Sequence, residues 1–304
     1  MPNPEASSFG VSDSETPIEP FAERILARIR RLETSLIVGI DPVIQRFPAE
    51  LQSLDAEEAL LEFSRAVIDA VRNDVAAVKP QVAFFERFGW RGWRALQGCV
   101  EHAAKAGVPV ILDAKRGDIG STATAYADAL LGDRPETPGP YVDALTVNPY
   151  LGEDSLEPFL ERAVAGGRGL FILARTSNPG AGDFQDRRSA DEPLYLGVAR
   201  AVTRWSRPYV SASGYGPLGL VSGATYPEEL AQIRAAAPHS FLLVPGLGAQ
   251  GGKAEDLKAA FDQDGVGALP SSSRGVIYAY SQRPEVPWQE AIAEAARATR
   301  LSLA

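Results

Sequence analysis

The chain has 304 residues, of which 45% are hydrophobic and 23% charged, a composition typical of a soluble globular protein with a large core. Its net charge of -9 disfavours a non-specific nucleic-acid binder, because phosphate contacts need clustered Lys and Arg. The chain has one cysteine, Cys99, which excludes an internal disulfide. It has only two histidines, which argues against Ser-His-Asp, Cys-His and histidine-metal chemistry. Lysines and carboxylates therefore remain as candidate reactive groups.

The first segment, residues 1–20, is rich in Pro, Ser and Glu. It has neither the basic start nor the apolar stretch of a signal peptide, and we expect a disordered tail. No apolar run approaches the roughly 18 residues of a membrane span. We therefore expect a cytoplasmic protein without a membrane partner, in which residues 21–304 form one domain.

Apolar runs and helical spacings alternate along the rest of the chain. Asp55 is predicted to cap the second helix, with Glu58 three residues later. Strands are predicted at 35–40, 75–78, 108–112, 142–147, 169–174, 218–222, 241–244 and 266–272. Helices are predicted at 21–32, 55–73, 89–107, 119–131, 155–165, 193–206, 227–237, 253–261 and 287–303, and residues 178–188 are predicted to form a mobile loop.

Eight strands that alternate with helices predict an α/β fold, the (β/α)8 TIM barrel, with its active site at the carboxyl ends of the strands. A doubly wound open sheet is the alternative. The barrel is favoured because Asp41-Pro42 follows the first strand, where a dinucleotide-binding fold has a glycine-rich fingerprint.

The most informative stretch reads V-P-V-I-L-D-A-K-R-G-D-I-G-S-T from Val108 to Thr122. Asp113 and Lys115 follow an apolar strand and, being two residues apart, point the same way, while Asp118 comes shortly afterwards. A surface ion pair, worth about 0 to 1 kcal/mol, is one interpretation. The other is a lysine held between carboxylates in a pocket, where each contact at about 4 Å is worth roughly 4 kcal/mol.

Further polar residues follow the other predicted strands, which favours the second interpretation. P-G-L-G-A-Q-G-G (Pro245 to Gly252) could bind phosphate through its backbone N-H groups, and Arg274 follows the eighth strand, where barrels often bind phosphate. A phosphorylated substrate is therefore expected. The residues placed just past strand ends are Asp41, Lys79, Asp113, Lys115, Ser177, Gln250 and Arg274.

Four motifs together resemble the orotidine 5'-phosphate decarboxylases, in particular their longer-chain bacterial (type 2) branch. They are D-A-K-R-G-D-I-G-S-T at Asp113 to Thr122, V-K-P-Q at Val78 to Gln81, T-V-N-P-Y-L-G at Thr146 to Gly152 and V-P-G-L-G-A-Q-G-G at Val244 to Gly252. The resemblance implies conversion of orotidine 5'-phosphate (OMP) to uridine 5'-phosphate (UMP) and CO2, the last step of de novo pyrimidine synthesis. It also implies a homodimer with shared sites and no metal or cofactor.

The resemblance also implies a role for each matching residue. Lys115 would donate a proton to C6, Asp113 would lie beside the departing carboxylate, and Asp118 would reach the partner's site. Asp41 and Lys79 would hold ribose hydroxyls, and Lys79 would also complete the catalytic charged array. The other substrate-binding positions would be Ile119 and Thr122 across the dimer interface, Ser177 at the pyrimidine edge, Gln250 and Arg274 at the phosphate, and Pro245. Ser273-Arg274 stands where shorter-chain members have Gly-Arg, which leaves the contact geometry there open.

The expected chemistry suits these residue types. Loss of CO2 from C6 leaves an anion in the ring plane that needs a fixed cation and prompt protonation, and Lys115 can supply both. Two rival functions are a Mg-dependent sugar-phosphate enzyme with the same D-x-K-x-x-D run and a non-catalytic phosphate-ligand binding protein. The first would need another acidic metal ligand near the site, and the intact Asp113-Lys115 motif disfavours the second.

Overall fold

Eight short parallel strands form the central sheet of the computed structural model, which describes residues 18–132, 141–189, 191–224, 227–247 and 254–303. The expected tail therefore lies largely outside the described residues, and the predicted division into tail and barrel domain stays a prediction. The strands are β1 Ile37–Ile40, β2 Ala77–Pro80, β3 Ile111–Arg116, β4 Ala144–Val147, β5 Gly169–Arg175, β6 Leu218–Ser222, β7 Leu242–Pro245 and β8 Ala268–Ser272.

The strands close into a barrel. Neighbouring strands run in the order β2, β1, β8, β7, β6, β5, β4 and β3, and every pair is parallel. Isolated parallel bridges from Val78 to Val110 and from Gln81 to Asp113 then join β2 to β3. The predicted TIM barrel is confirmed, and the open-sheet alternative is wrong.

Helices cover the outside of the barrel, and most begin and end within two residues of their predicted bounds. Asp55 caps its helix as predicted, since its carboxylate accepts from the backbone N-H groups of Glu57 and Glu58. The helices are α1 Phe21–Leu32, α2 Ala49–Gln52, α3 Ala56–Val71, α4 Val82–Glu86, α5 Gly89–Lys105, α6 Gly120–Leu131, α7 Glu153–Ala165, α8 Leu194–Ser206, α9 Pro227–Ala236, α10 Arg274–Ile277 and α11 Trp288–Leu301.

Short elements account for the remaining differences. The helix predicted over 253–261 is a 3-10 helix at Ala254–Ala260, and Lys253 lies outside the described residues. The segment predicted as a loop contains a 3-10 helix, Pro179–Asp183, and runs into a small antiparallel hairpin formed by Arg188–Ser189 and Glu192–Pro193. Within the described ranges, no helix is long and apolar enough to cross a membrane.

Helix α1 closes the amino-terminal end of the barrel. Its apolar side chains, among them Phe21 and Ile25, pack on the inward-facing side chains of the strands, and the Phe21 ring meets Phe171 edge-on at 6.0 Å. A large apolar side chain stabilises the fold by about 1.5 to 3 kcal/mol when fully buried. With this end filled, the barrel interior opens at the carboxyl ends of the strands.

Phe171 also explains a glycine in the neighbouring strand. A Cβ atom at Gly219 would lie 2.6 Å from the Phe171 ring and 2.7 Å from the Phe241 carbonyl oxygen. β6 therefore needs glycine here so that the phenylalanine can fill the barrel.

The predicted end of the third strand is wrong. The change from apolar to charged residues suggested an end at Leu112, whereas β3 runs from Ile111 to Arg116 and includes Asp113 and Lys115. The pairing with β4 shifts register between Leu112 and Arg116, and Lys115 has a φ of 48°, in the left-handed region. Asp113 and Lys115 continue the strand because their side chains turn into the barrel mouth, where they have partners.

Candidate active site

A cavity of about 470 Å³ opens at the carboxyl ends of the strands. It brings together seven of the residues singled out in the sequence, which come from β1, β2, β3, β5, β7 and β8 or from the segments that follow them. Lys79, Asp113, Lys115 and Pro245 lie within their strands rather than just past them, which corrects the predicted placement. The seven lining residues are Asp41, Lys79, Asp113, Lys115, Ser177, Pro245 and Arg274.

Asp113 is the centre of a charged array. Its Oδ2 atom accepts from Lys79 Nζ at 2.9 Å, and its Oδ1 atom accepts from Lys115 Nζ at 2.5 Å. The side chains of Lys79 and Asp113 are only 7% and 12% exposed, whereas that of Lys115 is 45% exposed. Lys79 and Asp113 therefore form a buried, fixed ion pair, and Lys115 is the member of the array that extends into the open cavity.

The array keeps its buried members charged. Burial alone would raise the pKa of Asp113, but the adjacent Lys79 and Lys115 lower it to about 2. Burial alone would lower the pKa of Lys79, but the carboxylates of Asp113 and Asp41 outweigh burial and raise it. At neutral pH the site therefore holds a buried ammonium and a buried carboxylate in fixed positions. Such preorganised charges can stabilise a transition state without first having to reorient.

Thr146 supports this array, a role that was not predicted from its place in the T-V-N-P-Y-L-G motif. Its hydroxyl donates to Asp113 Oδ1 at 3.1 Å and accepts from the backbone N-H groups of Ala114 and Lys115 at 3.0 and 2.9 Å. One buried side chain thus holds both the carboxylate and the irregular backbone of β3. The available signal was its position two residues after Ala144, on the inward face of β4.

Asp41 lies one residue past β1 and lines the same cavity. Its Oδ1 atom is buried and has no hydrogen-bond partner among the described residues. A buried acceptor without a partner is costly, so this oxygen is available to a donor from a bound ligand.

Ser177 lines the cavity two residues beyond β5, in a segment held by Gln185. Gln185 Oε1 accepts from the Thr176 backbone N-H at 2.8 Å, and its Nε2 atom donates to the Thr176 hydroxyl at 2.9 Å. Asp186 adds an ion pair with buried Arg175 at 3.1 Å. Gln185 also lines the cavity and was missed, since it lies in the segment predicted to be a mobile loop.

The remaining wall comes from β7, β8 and the segments after them. Pro245 ends β7, Arg274 begins α10, and Ser273 precedes it at the mouth of the cavity. Arg274 is exposed, so its guanidinium is accessible to an anionic group of a ligand. Gln250, predicted to contact phosphate, lies outside the described residues.

Asp118, Ile119 and Thr122 are not brought into the cavity of their own chain. Asp118 Oδ1 accepts from the Ile119 backbone N-H at 2.8 Å, just before α6. Ile119 is 58% exposed and Thr122 is also exposed. None of the three side chains lines that cavity.

The buried array yields a stability prediction. Asp113→Asn leaves the Lys79 ammonium buried without its closest carboxylate, and we expect a loss of about 3 to 5 kcal/mol in the free energy of unfolding. Because folding lowers the Asp113 pKa from 3.8 to about 2, the stabilisation exists above pH 3.8 and disappears as the pH falls towards 2. Denaturant titrations at several pH values measure this difference.

Glu62→Gln is a suitable control, because it removes an exposed ion pair with Arg65 and should cost at most about 1 kcal/mol. Equal, pH-independent losses in both variants would contradict the stabilising role of the array.

The fold and the site define a TIM-barrel enzyme that carries a lysine-carboxylate array at its mouth. Residues 34–286 match the model of the Orotidine 5'-phosphate decarboxylase / HUMPS family, and the chain belongs to that family.

Similar proteins support the same assignment. An orotidine 5'-phosphate decarboxylase of Rhodopirellula baltica is 46% identical over 90% of this chain and 95% of its own length. One from Halobacterium salinarum is 45% identical over 92% and 97%. The Leishmania donovani OMP decarboxylase structure has a TM-score of 0.73 and 35% identity over 93% of this chain and 99% of that one. The family and the carboxy-lyase class expected from the sequence motifs are confirmed.

Proposed function

We propose that this chain converts OMP to UMP and CO2, the last step of de novo pyrimidine synthesis, as a cytoplasmic enzyme that uses Lys115 as the proton donor. The reaction itself follows from the family and the named relatives. The observation that supports the residue assignment is the contact of Lys115 Nζ with Asp113 Oδ1, beside the buried pair of Asp113 and Lys79. No cofactor is needed for the mechanism below.

The bond that breaks joins C6 to the substrate carboxylate. CO2 leaves, the electron pair stays on C6, and the Lys115 ammonium transfers its proton to that carbon and is later reprotonated by water. A cation fixed beside C6 stabilises the developing charge before the transfer. Asp113 would face the substrate carboxylate, a like-charge contact that departure of CO2 relieves.

The rest of the cavity suits the other parts of the nucleotide. Asp41, whose Oδ1 has no partner among the described residues, and Lys79 would bind ribose hydroxyls, and Ser177 would read the pyrimidine edge. Pro245, Gln250 and Arg274 would form the phosphate end. Binding energy from the phosphate, remote from C6, can hold the substrate against the charged array.

We also propose a homodimer in which Asp118, Ile119 and Thr122 complete the partner's site. Their absence from the lining of their own cavity and the exposure of Ile119 support this arrangement. Tyr150 and Leu151, in the segment after β4, are 77% and 47% exposed and provide further apolar surface at the same end of the barrel. Burial of such residues is a usual source of dimer stability.

The site geometry disfavours the two rival functions. A magnesium ion would need several oxygen ligands, yet two carboxylates among the described residues line the cavity, and Asp113 is already engaged by Lys79, Lys115 and Thr146, which leaves Asp41. A non-catalytic binding protein could hold an anionic ligand with cations alone and would have no need of Asp113, whose negative charge repels such a ligand.

Metal-free turnover tests the proposal. Chelator-treated protein should consume OMP, followed by loss of its ultraviolet absorbance, at the rate of a sample supplemented with Mg²⁺. Restoration of activity only by Mg²⁺ would favour the metal-dependent rival. Intact OMP, with folded protein that still binds UMP, would instead favour the binding protein.

A further inference from the structure

Tyr278 lies beneath the segment that carries Asp41, although 237 residues separate the two in sequence. It follows α10, the helical turn that begins at Arg274, and its backbone N-H donates to the Arg274 carbonyl at 3.3 Å. The residue is 2% exposed. Tyr278 does not line the cavity, so any effect on the reaction must pass through a neighbour.

The Tyr278 hydroxyl makes two hydrogen bonds to one short stretch of backbone. It donates to the Asp41 carbonyl oxygen at 2.8 Å and accepts from the Val43 backbone N-H at 2.7 Å. Pro42 stands between these residues and has no N-H of its own. The hydroxyl therefore fixes the chain on both sides of the proline, just where β1 has ended.

The ring is held as firmly as the hydroxyl. It stacks on Phe63 with a centroid separation of 5.8 Å, and the Arg46 guanidinium lies 3.8 Å from its centroid on the same segment. Burial raises the pKa of Tyr278 to about 12, so the hydroxyl keeps its proton and its role as donor at physiological pH.

Asp41 needs such support because one of its two carboxylate oxygens has no hydrogen bond among the described residues. Its Oδ1 atom is buried and has no hydrogen-bond partner among the described residues, and its carboxylate helps to raise the pKa of Lys79. A small shift of the backbone at Asp41 would therefore move its carboxylate within the site, because no hydrogen bond from the described residues holds Oδ1 in place.

We propose that Tyr278 is a positioning residue, which holds the backbone on both sides of Pro42 and so sets the place of the Asp41 carboxylate in the site. The inference rests on the proposed function, in which Asp41 binds the ribose of OMP. Tyr278 acts through Asp41 and makes no contact with the substrate.

Tyr278→Phe tests this role, because it keeps the ring and its stacking and removes only the hydroxyl. We expect kcat/KM for OMP to fall about 10-fold, the size expected when buried backbone groups lose a partner. The matched control is Tyr280→Phe, which removes a hydroxyl bond of 2.7 Å to the Arg46 carbonyl on the same segment but leaves Asp41 and Val43 untouched. It should remain within about twofold of wild type.

A double-mutant cycle separates positioning from general stabilisation. If Tyr278 acts through Asp41, adding Tyr278→Phe to Asp41→Asn should lower kcat/KM by less than about twofold more. All rates are compared well below the melting temperature of each variant. Multiplication of the two losses would overturn the inference, as would equal activity of the Tyr278→Phe and Tyr280→Phe proteins. An inactive wild-type protein would instead overturn the proposed function on which the inference rests.

Discussion

Lys115→Ala should reduce turnover of OMP by at least about 10⁴-fold, because it removes both the proposed proton donor and the cation beside C6. UMP binding should persist, since Asp41, Lys79, Ser177 and Arg274 remain around the cavity. Absorbance assays measure turnover, and calorimetry with UMP measures binding. Together they separate a loss of chemistry from a loss of the site.

Lys105→Ala provides the control for this experiment. Lys105 is an exposed lysine in the last turn of α5, away from the cavity, and its removal should leave turnover unchanged. Lys115→Arg adds a second comparison, because it keeps a positive charge but is a far weaker acid. Near-wild-type turnover by Lys115→Ala would rule out Lys115 as the proton donor.

Mixing two inactive variants should restore activity if the sites are shared across a dimer. Lys115→Ala and Asp118→Ala proteins each lack one part of every site. A heterodimer of the two, however, has one site with both residues intact. With complete subunit exchange of equal amounts, about a quarter of wild-type activity should return.

Two controls make this result decisive. Native mass spectrometry of differently tagged subunits verifies that exchange has occurred. A mixture of Lys115→Ala with Lys115→Ala/Asp118→Ala should stay inactive, since no subunit supplies the lysine. Absence of recovery in a mixture shown to contain heterodimers would contradict a site shared through Asp118.

The barrel could be predicted because its signals are local. Each strand core is an apolar run, each flanking helix has its own spacing, and the alternation of the two identifies the fold. The period of two along a strand also placed Asp113 and Lys115 on one side, where both line the cavity. These inferences use only residues close together in sequence.

Other features depend on contacts between distant residues. β3 continues through charged residues because Thr146, on the next strand, bonds to its backbone, and no pattern within 108–116 reveals that support. Gln185 and Tyr278 likewise hold backbone segments, at Thr176 and at Asp41, that only the folded chain brings next to them. A change from apolar to charged residues predicts the end of a strand. At the barrel mouth the strand continues past that change, because other residues there stabilise the charges.

The central claim, that C6 loses CO2 and gains a proton from an exchangeable group, is tested most directly by running the reaction in D₂O. The Lys115 ammonium exchanges its protons with solvent, so NMR and mass spectrometry should show UMP with one deuteron at C6 and one CO2 released per OMP. Recovery of unchanged OMP after incubation with an equimolar amount of folded, UMP-binding protein would contradict the account.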